Sequence, residues 1–394
     1  MKLKYIFLTI GLIVLAHLVV LFVCFYQPSE KGKEPAAPEK NPPAAVPGES
    51  AVKPAAGVKS PAPQTAAGQA ASAVKEPPRT RQFPAFRFQT AWKGNIPEIP
   101  DSSGARSGIL VDADTGNVLW DKQALRPVPI ASMTKMMTLL LACEDIQSGR
   151  NGISPESPVK VSRAAMKIGG SQVWLDAKET FKLEELLKAV AIKSANDAAY
   201  LVAEFLGDGD VYGFVARMNR RAREIGMKHT SFHNPHGLPE KSSDNDNMAS
   251  PADMALLAEY CMQHDDLMKW AAMPRADFRG GKTELINHNN LLPGRKYPAP
   301  GVDGLKTGCI NRSGYCVTIT CKRAGKRMIA VVTGFDRAKN RDLFARKLLD
   351  WGYARMENPV AANAKTAQYK PAPKTKKVVR RAVSRKKKPV SKKR

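Results

Sequence analysis

The chain has 394 residues, 25% charged and 43% hydrophobic, with 29 prolines; this excludes a fibrous, wholly disordered or polytopic membrane protein and leaves one or two folded units with unfolded appendages. The formal charge of +26 points first to a nucleic-acid partner, yet residues 365–394 alone hold fourteen Lys or Arg and no acid. Residues 104–353 carry 35 basic and 28 acidic side chains, so the folding part is only mildly basic and the extreme charge belongs to a tail.

Lys2 and Lys4 precede an apolar run over 5–26, about 33 Å long as a helix and long enough for a bilayer core of about 30 Å. Phe22, Val23, Cys24 and Phe25 are too bulky for the cleavage site of a signal peptide. Residues 1–27 therefore read as an uncleaved single-pass anchor with its N-terminus in the cytoplasm and the rest of the chain outside; a cleaved signal is the alternative. Residues 28–78 hold eleven prolines and thirteen alanines, too little apolar bulk for a core, and read as a semi-extended spacer. In the transition over 79–103, the rings of Phe83, Phe86, Phe88 and Trp92 are expected to pack on the domain.

A folded domain is expected over 104–353. Ser107-Gly-Ile-Leu-Val-Asp112 and Asn117-Val-Leu-Trp120 flank the turn residues Ala113-Asp-Thr-Gly116 and predict a hairpin. From Ser132, Met133, Met136, Met137, Leu140 and Leu141 recur at helical spacing; further stripes begin at Leu183, Ala198 and Val211. Ser250-Pro-Ala-Asp253 announces another helix through a capping serine, proline in the first turn and an acid near the positive end of the dipole. After a long irregular segment come strands over about 304–309, 315–321 and 327–333, and a last helix over about 341–351 that stops at Gly352. Neither set of strands can bury a face alone, so the two ends of the domain are expected to share one antiparallel sheet covered by helices, an α+β fold with an adjoining helical lobe and a cleft between them.

Of six cysteines, Cys143 and Cys261 fall at apolar helical positions, while Cys309 and Cys316 bracket a short reversal where a disulfide is conceivable in an oxidising compartment. The histidines show no zinc-site spacing; in His233-Asn-Pro-His-Gly237 the proline forces a turn, read as structural. No metal and no cofactor are expected.

Three segments carry the chemistry. Ser132-Met-Thr-Lys135 places a hydroxyl and an amine on one helical face, and a desolvated neutral lysine takes a proton from a serine nucleophile. Lys193-Ser-Ala-Asn196 breaks the helical pattern and offers a hydroxyl and an amide. Lys306-Thr-Gly308 lies on a strand, where lysine and threonine present a cation and a hydroxyl to a carboxylate and glycine allows a close backbone. Each alone has a bland reading: a cap and a surface lysine, a helix break, a solvated strand end. Together, in this order, they form the signature of the penicillin-interacting serine enzymes, S-x-x-K, S-x-N and K-T-G.

With Ile192-Lys-Ser-Ala-Asn-Asp-Ala-Ala199, Phe232-His-Asn-Pro-His-Gly-Leu238 and Gly301-Val-Asp-Gly-Leu-Lys-Thr-Gly308, the chain resembles the low-molecular-mass penicillin-binding proteins that are serine-type D-alanyl-D-alanine carboxypeptidases. The resemblance implies a β-lactamase/transpeptidase-like fold and an acyl-enzyme at Ser132, with Lys135 as general base and Ser194 and Asn196 assisting. It implies a substrate carboxylate held by Lys306, Thr307 and Gly308, and an oxyanion hole from the backbone N–H groups of Ser132 and Cys309. The implied partners are peptidoglycan stem peptides and β-lactams, in cell-wall biogenesis and cell shape.

Many members carry a second, strand-rich domain; only 41 residues follow Tyr353, without a strand pattern, so that domain is expected to be absent. Residues 354–394 are expected to be a disordered polycation that meets anionic envelope lipids or polymers, with no nucleic-acid role outside the membrane. The alternatives are a D-alanyl-meso-diaminopimelate endopeptidase, a class A-like β-lactamase and a catalytically silent peptidoglycan-binding protein. The β-lactamase needs an E-x-x-L-N pattern that residues 230–247 lack.

Overall fold

Ser107–Asp112 (β1) is buried along its whole length, which a strand achieves only when both sheet faces are covered. It returns through a tight turn as Asn117–Lys122 (β2). Val128–Pro129 (β3) leads into a 3-10 turn, Ala131–Thr134, and helix Lys135–Ser148 (α1). Pro158–Lys160 (β4) and Thr180–Lys182 (β5) make a small ribbon, with the one-turn helix Arg163–Met166 (α2) between them in sequence. Leu183–Lys188 (α3), a π-turn over Ala189–Lys193, Asn196–Leu206 (α4) and Val211–Glu224 (α5) follow. Met248–Ala249 (β6) pairs with β3, and Pro251–Cys261 (α6) and Asp265–Ala272 (α7) come next. A hairpin of Arg275–Phe278 (β7) and Thr283–Ile286 (β8) precedes Val302–Ile310 (β9), Gly314–Arg323 (β10), Lys326–Phe335 (β11) and the final helix Ala338–Glu357 (α8). This computed structural model describes residues 83–90, 104–239 and 242–357. The expected anchor, the spacer, Trp92 and the basic tail lie outside the described residues.

The main sheet has the order β2-β1-β11-β10-β9 with antiparallel pairing throughout, so the two ends of the domain do combine. Alternate residues feed two cores. Ile109, Val111, Ile329 and Val331 face the helical block around α1 and α6, while Leu110, Met328, Ala330 and Val332 pack with Phe344, Leu348 and Leu349 of α8. Trp120 and Phe335 close on Phe344 with ring centroids 5.8 and 5.3 Å apart, pairs worth about 0.5–1.5 kcal/mol each beyond their buried area. Helix α1 is buried nearly all round, from Met136 to Cys143, so it is the axis of the helical block and not an amphipathic cover.

The expected serine cap of α6 is present, with Ser250 Oγ accepting from Asp253 N at 3.1 Å. Phe86 and Phe88 pack against the core, and Phe83 meets Tyr260 edge-on at 5.4 Å. Two expectations change, and one open pairing is decided. The segment read as irregular contains the hairpin β7–β8, whose turn residues Arg279-Gly-Gly-Lys282 stand in the sequence but whose strands are only four residues each. Helix α8 does not stop at Gly352: a Cβ there would lie 2.6 Å from Leu110 Cδ2, so the glycine serves close packing on β1 and the helix continues to Glu357. The Cys309–Cys316 disulfide does not form, and both thiols are free. Register places Tyr315 opposite Cys309 and Cys316 opposite Gly308, and neighbouring residues on a strand point to opposite faces.

Candidate active site

Ser132 sits in the 3-10 turn that opens α1, one turn before Lys135. Lys135 is fully buried, and its Nζ donates to Ser132 Oγ at 3.0 Å, Asn196 Oδ1 at 2.7 Å and the His236 carbonyl at 2.5 Å. Burial first, and the Lys306 charge second, hold its amine well below the usual lysine range. A neutral Lys135 keeps two N–H groups for Asn196 and His236 and turns its lone pair toward the Ser132 hydroxyl, the arrangement a serine nucleophile and its base require.

Asn196 reaches this position because the π-turn ends on Ser194 in the left-handed region, φ 61°, and α4 restarts at Asn196. Local under-winding of this kind, with i→i+5 bonds, re-aims side chains where a regular helix would carry them past. Asn196 Nδ2 donates to the Gly169 carbonyl at 2.8 Å and its backbone N–H to Ser171 O at 2.7 Å, which fixes the amide with its oxygen toward Lys135.

Strand β9 is the edge of the sheet beside the Ser132 turn. A Cβ on Gly308 would lie 2.7 Å from Ile130 O; the backbone this glycine admits is therefore the protein's own, and the close approach brings the strand against the serine. Lys306 is 3% exposed and donates to the Thr307 carbonyl at 3.2 Å. Burial, with Arg341 adding to it, pulls its pKa down to about 7. Ser132, Ser194, Asn196, Thr307, Gly308 and Cys309 all line one cleft of about 460 Å³. Arg295 and Arg341 also line it, and no described lining residue is acidic, so the cleft suits an anionic group.

Several contributors carry no signal in the sequence that places them in the site. The turn at His233-Asn-Pro-His-Gly237 belongs to the site through the His236 carbonyl, which has no side-chain signature. It is bolted to α1: Thr138 Oγ1 donates to Pro235 O at 2.7 Å, and Asn247 Nδ2 bridges Thr134 Oγ1 and Asn234 O at 2.9 and 2.8 Å. Gly237, at φ 81°, has no room for a Cβ, which would fall 2.0 Å from Ala131 O. His236 is structural as expected: its Nδ1 accepts from Leu238 N at 3.1 Å, and burial followed by Lys135 lowers its pKa to about 3. Among the described residues no group of three or more His, Cys, Asp or Glu has the spacing to hold a metal. Arg341, in the first turns of α8, is 3% exposed. Its Nε and Nη2 donate to Asp342 Oδ1 at 2.8 and 2.6 Å, and its Nη1 to Cys316 O at 3.2 Å. Its nearest sequence signal was the start of the last expected helix, which says nothing of a guanidinium held at the cleft by Asp342 and the Cys316 carbonyl of β10.

The sequence profile of the D-alanyl-D-alanine carboxypeptidase family, Peptidase_S11, matches residues 94–337. The chain belongs to this family. It is similar to the D-alanyl-D-alanine carboxypeptidase DacF of Bacillus subtilis, 38% identical over 256 residues, which cover 64% of this chain and 63% of that protein. A D-alanyl-D-alanine endopeptidase of Haemophilus influenzae is 29% identical over 238 residues, 59% of this chain and 76% of that one. The chain spans under two thirds of the length of the curated carboxypeptidases it first matches, 63% of DacF and 64% of DacA from Haemophilus influenzae. Among solved structures, penicillin-binding protein 3 of Streptococcus pneumoniae superposes with a TM-score of 0.59 at 29% identity, covering 64% of this chain and 73% of that one. The ampicillin-bound penicillin-binding protein D2 of Listeria monocytogenes gives 0.56 at 27% identity, covering 64% and 97%. The fold of this S11 member is thus that of the penicillin-binding proteins, as expected.

Proposed function

We propose that this family member is a serine-type D-Ala-D-Ala carboxypeptidase that trims the terminal D-alanine from peptidoglycan stem peptides through an acyl-enzyme on Ser132. The observation that carries the reading is the depressed Lys135 amine held 3.0 Å from Ser132 Oγ. Ser132 Oγ attacks the penultimate D-alanyl carbonyl as its proton passes to Lys135. The oxyanion meets the N–H groups of Ser132 and Cys309, and two such donors lower the barrier by several kcal/mol. The proton returns through Ser194 to the leaving amine, free D-alanine departs, and water hydrolyses the ester with Lys135 again as base. Thr307, the buried Lys306 and the cleft-facing Arg341 hold the terminal carboxylate. β-Lactams acylate the same serine.

The test compares a peptide ending in D-Ala-D-Ala with its C-terminal amide. Hydrogen bonds to a charged group contribute about 1.5–3 kcal/mol, so amidation lowers kcat/KM at least about tenfold. The pH profile carries a second signature. Lys306 titrates at about 7 in the free enzyme and binds a carboxylate as the cation, so kcat/KM for the acid falls as pH rises through about 7. The amide lacks that alkaline limb. Faster cleavage of a D-alanyl cross-linked dimer than of the free pentapeptide, by contrast, makes the enzyme an endopeptidase.

In this reading the domain works outside the cytoplasmic membrane, held there by the apolar run over 5–26. Among the described residues no helix is long and apolar enough to cross a membrane, and that run lies outside them. Residues 358–394 tether it electrostatically to anionic envelope. A chain ending at Glu357 then turns over the small peptide at the full-length rate, whereas only the full-length chain sediments with purified envelope, less so at high salt. Equal sedimentation of both removes the tether.

A further inference from the structure

Trp174 is 76% exposed, and its backbone lies in the left-handed region at φ 58°, where a bulky residue is an outlier. Its flanking residues fix that conformation. Val173 and Leu175 are each 3% exposed, and their N–H groups donate to the Asp197 carboxylate at 3.1 and 3.2 Å. Arg279 donates to the Val173 and Trp174 carbonyls at 2.7 and 2.8 Å and is itself clamped on Glu179. With both neighbours turned inward and the backbone tied from two sides, the indole faces outward.

The same loop belongs to the cleft. Gly170 and Ser171 line it, and Ser171 accepts the Asn196 backbone N–H while its hydroxyl donates to Lys193 O. Three Cα steps lead from Ser171 to Trp174, a span of about 10–11 Å at most. Asp197, which holds the Trp174 loop, is the residue after Asn196. Among the described residues, two of the four exposed large apolar side chains, Met166 at 44% and Trp174, bracket these cleft-lining positions.

The surroundings of the ring select its partner. Along the chain on either side of it, Gln172 is half-buried and Asp176 and Lys178 are exposed. A protein partner needs about 800 Å² on each side with an apolar centre, which one flat ring flanked in sequence by polar residues does not offer. A pyranose fits: it has one apolar C–H face to lie on an indole and a rim of hydroxyls and amides to meet the polar side chains. Resting on the carboxypeptidase reading, in which the peptide is attached to a glycan, we propose that Trp174 is a sugar-stacking platform that seats a ring of the glycan strand and favours polymer-linked over free stem peptide.

The experiment compares wild type, Trp174→Ala and Trp174→Phe on a sugar-free D-Ala-D-Ala peptide and on the same peptide carried by a glycan chain. Trp174→Ala leaves kcat/KM on the free peptide within twofold and lowers it about tenfold on the glycan-linked substrate, through KM; Trp174→Phe keeps most of the wild-type value. In parallel, a β-1,4-linked N-acetylglucosamine tetramer shifts the tryptophan fluorescence of wild type and not of Trp174→Ala. Equal loss on both substrates makes the ring a mere support for its loop, and no loss on either removes it from recognition; each result overturns the proposal. Wild type that releases no D-alanine overturns the carboxypeptidase reading instead, and the tetramer titration then decides on the platform by itself.

Discussion

Replacing Lys135 by arginine lowers the rate of covalent labelling by a fluorescent penicillin at least about a thousandfold, with the melting temperature followed to confirm that the domain still folds. General-base assistance contributes about 10²- to 10⁴-fold, and a guanidinium cannot give up its proton in a protein. Geometry compounds the loss, because three partners at 3.0, 2.7 and 2.5 Å converge on one tetrahedral amine and a planar fork cannot serve them together. Lys306→Arg is a milder change, since in the proposed mechanism that position serves as a cation, and it retains a measurable part of the rate. Equal residual rates in the two variants contradict the division of labour between the lysines.

The parts of the site legible in the sequence are those that use side chains at fixed short spacing. Ser132 and Lys135 lie one turn apart, Ser194 and Asn196 mark a break between two helical stripes, and Lys306-Thr-Gly308 sits in a strand, so each motif came with its local structure. The sheet was legible for a related reason: apolar runs at both ends of the domain had no other surface to bury. Hidden were contributions that exist only after folding. The His236 carbonyl is backbone, and its approach to Lys135 depends on a turn 101 residues away in sequence. Arg341 reaches the cleft because α8 crosses the sheet, and Asp197 acts through main-chain donors at 173 and 175. The helix stop expected at Gly352 instead marks a place where α8 packs on β1, and Gly308, expected beside a ligand, lines the cleft and also lets β9 touch the Ser132 turn. Strand parity, invisible until register is known, separated Cys309 from Cys316.

The central claim is that Ser132 is the residue acylated. It is the hydroxyl bonded to the depressed amine of Lys135 and lies in the cleft beside Thr307. Ser132→Ala removes the nucleophile with little change in volume, and since the bonds of Lys135 to Asn196 and His236 do not involve the hydroxyl, the fold is retained while both penicillin labelling and D-alanine release fall to background. The most direct measurement is peptide mapping by mass spectrometry of the wild-type protein trapped with a β-lactam, with Ser132→Ala run alongside. One modified peptide is expected, with the adduct on Ser132, and none in the variant; an adduct on Ser194 or any other residue, or label persisting in folded Ser132→Ala, rules out Ser132 as the nucleophile.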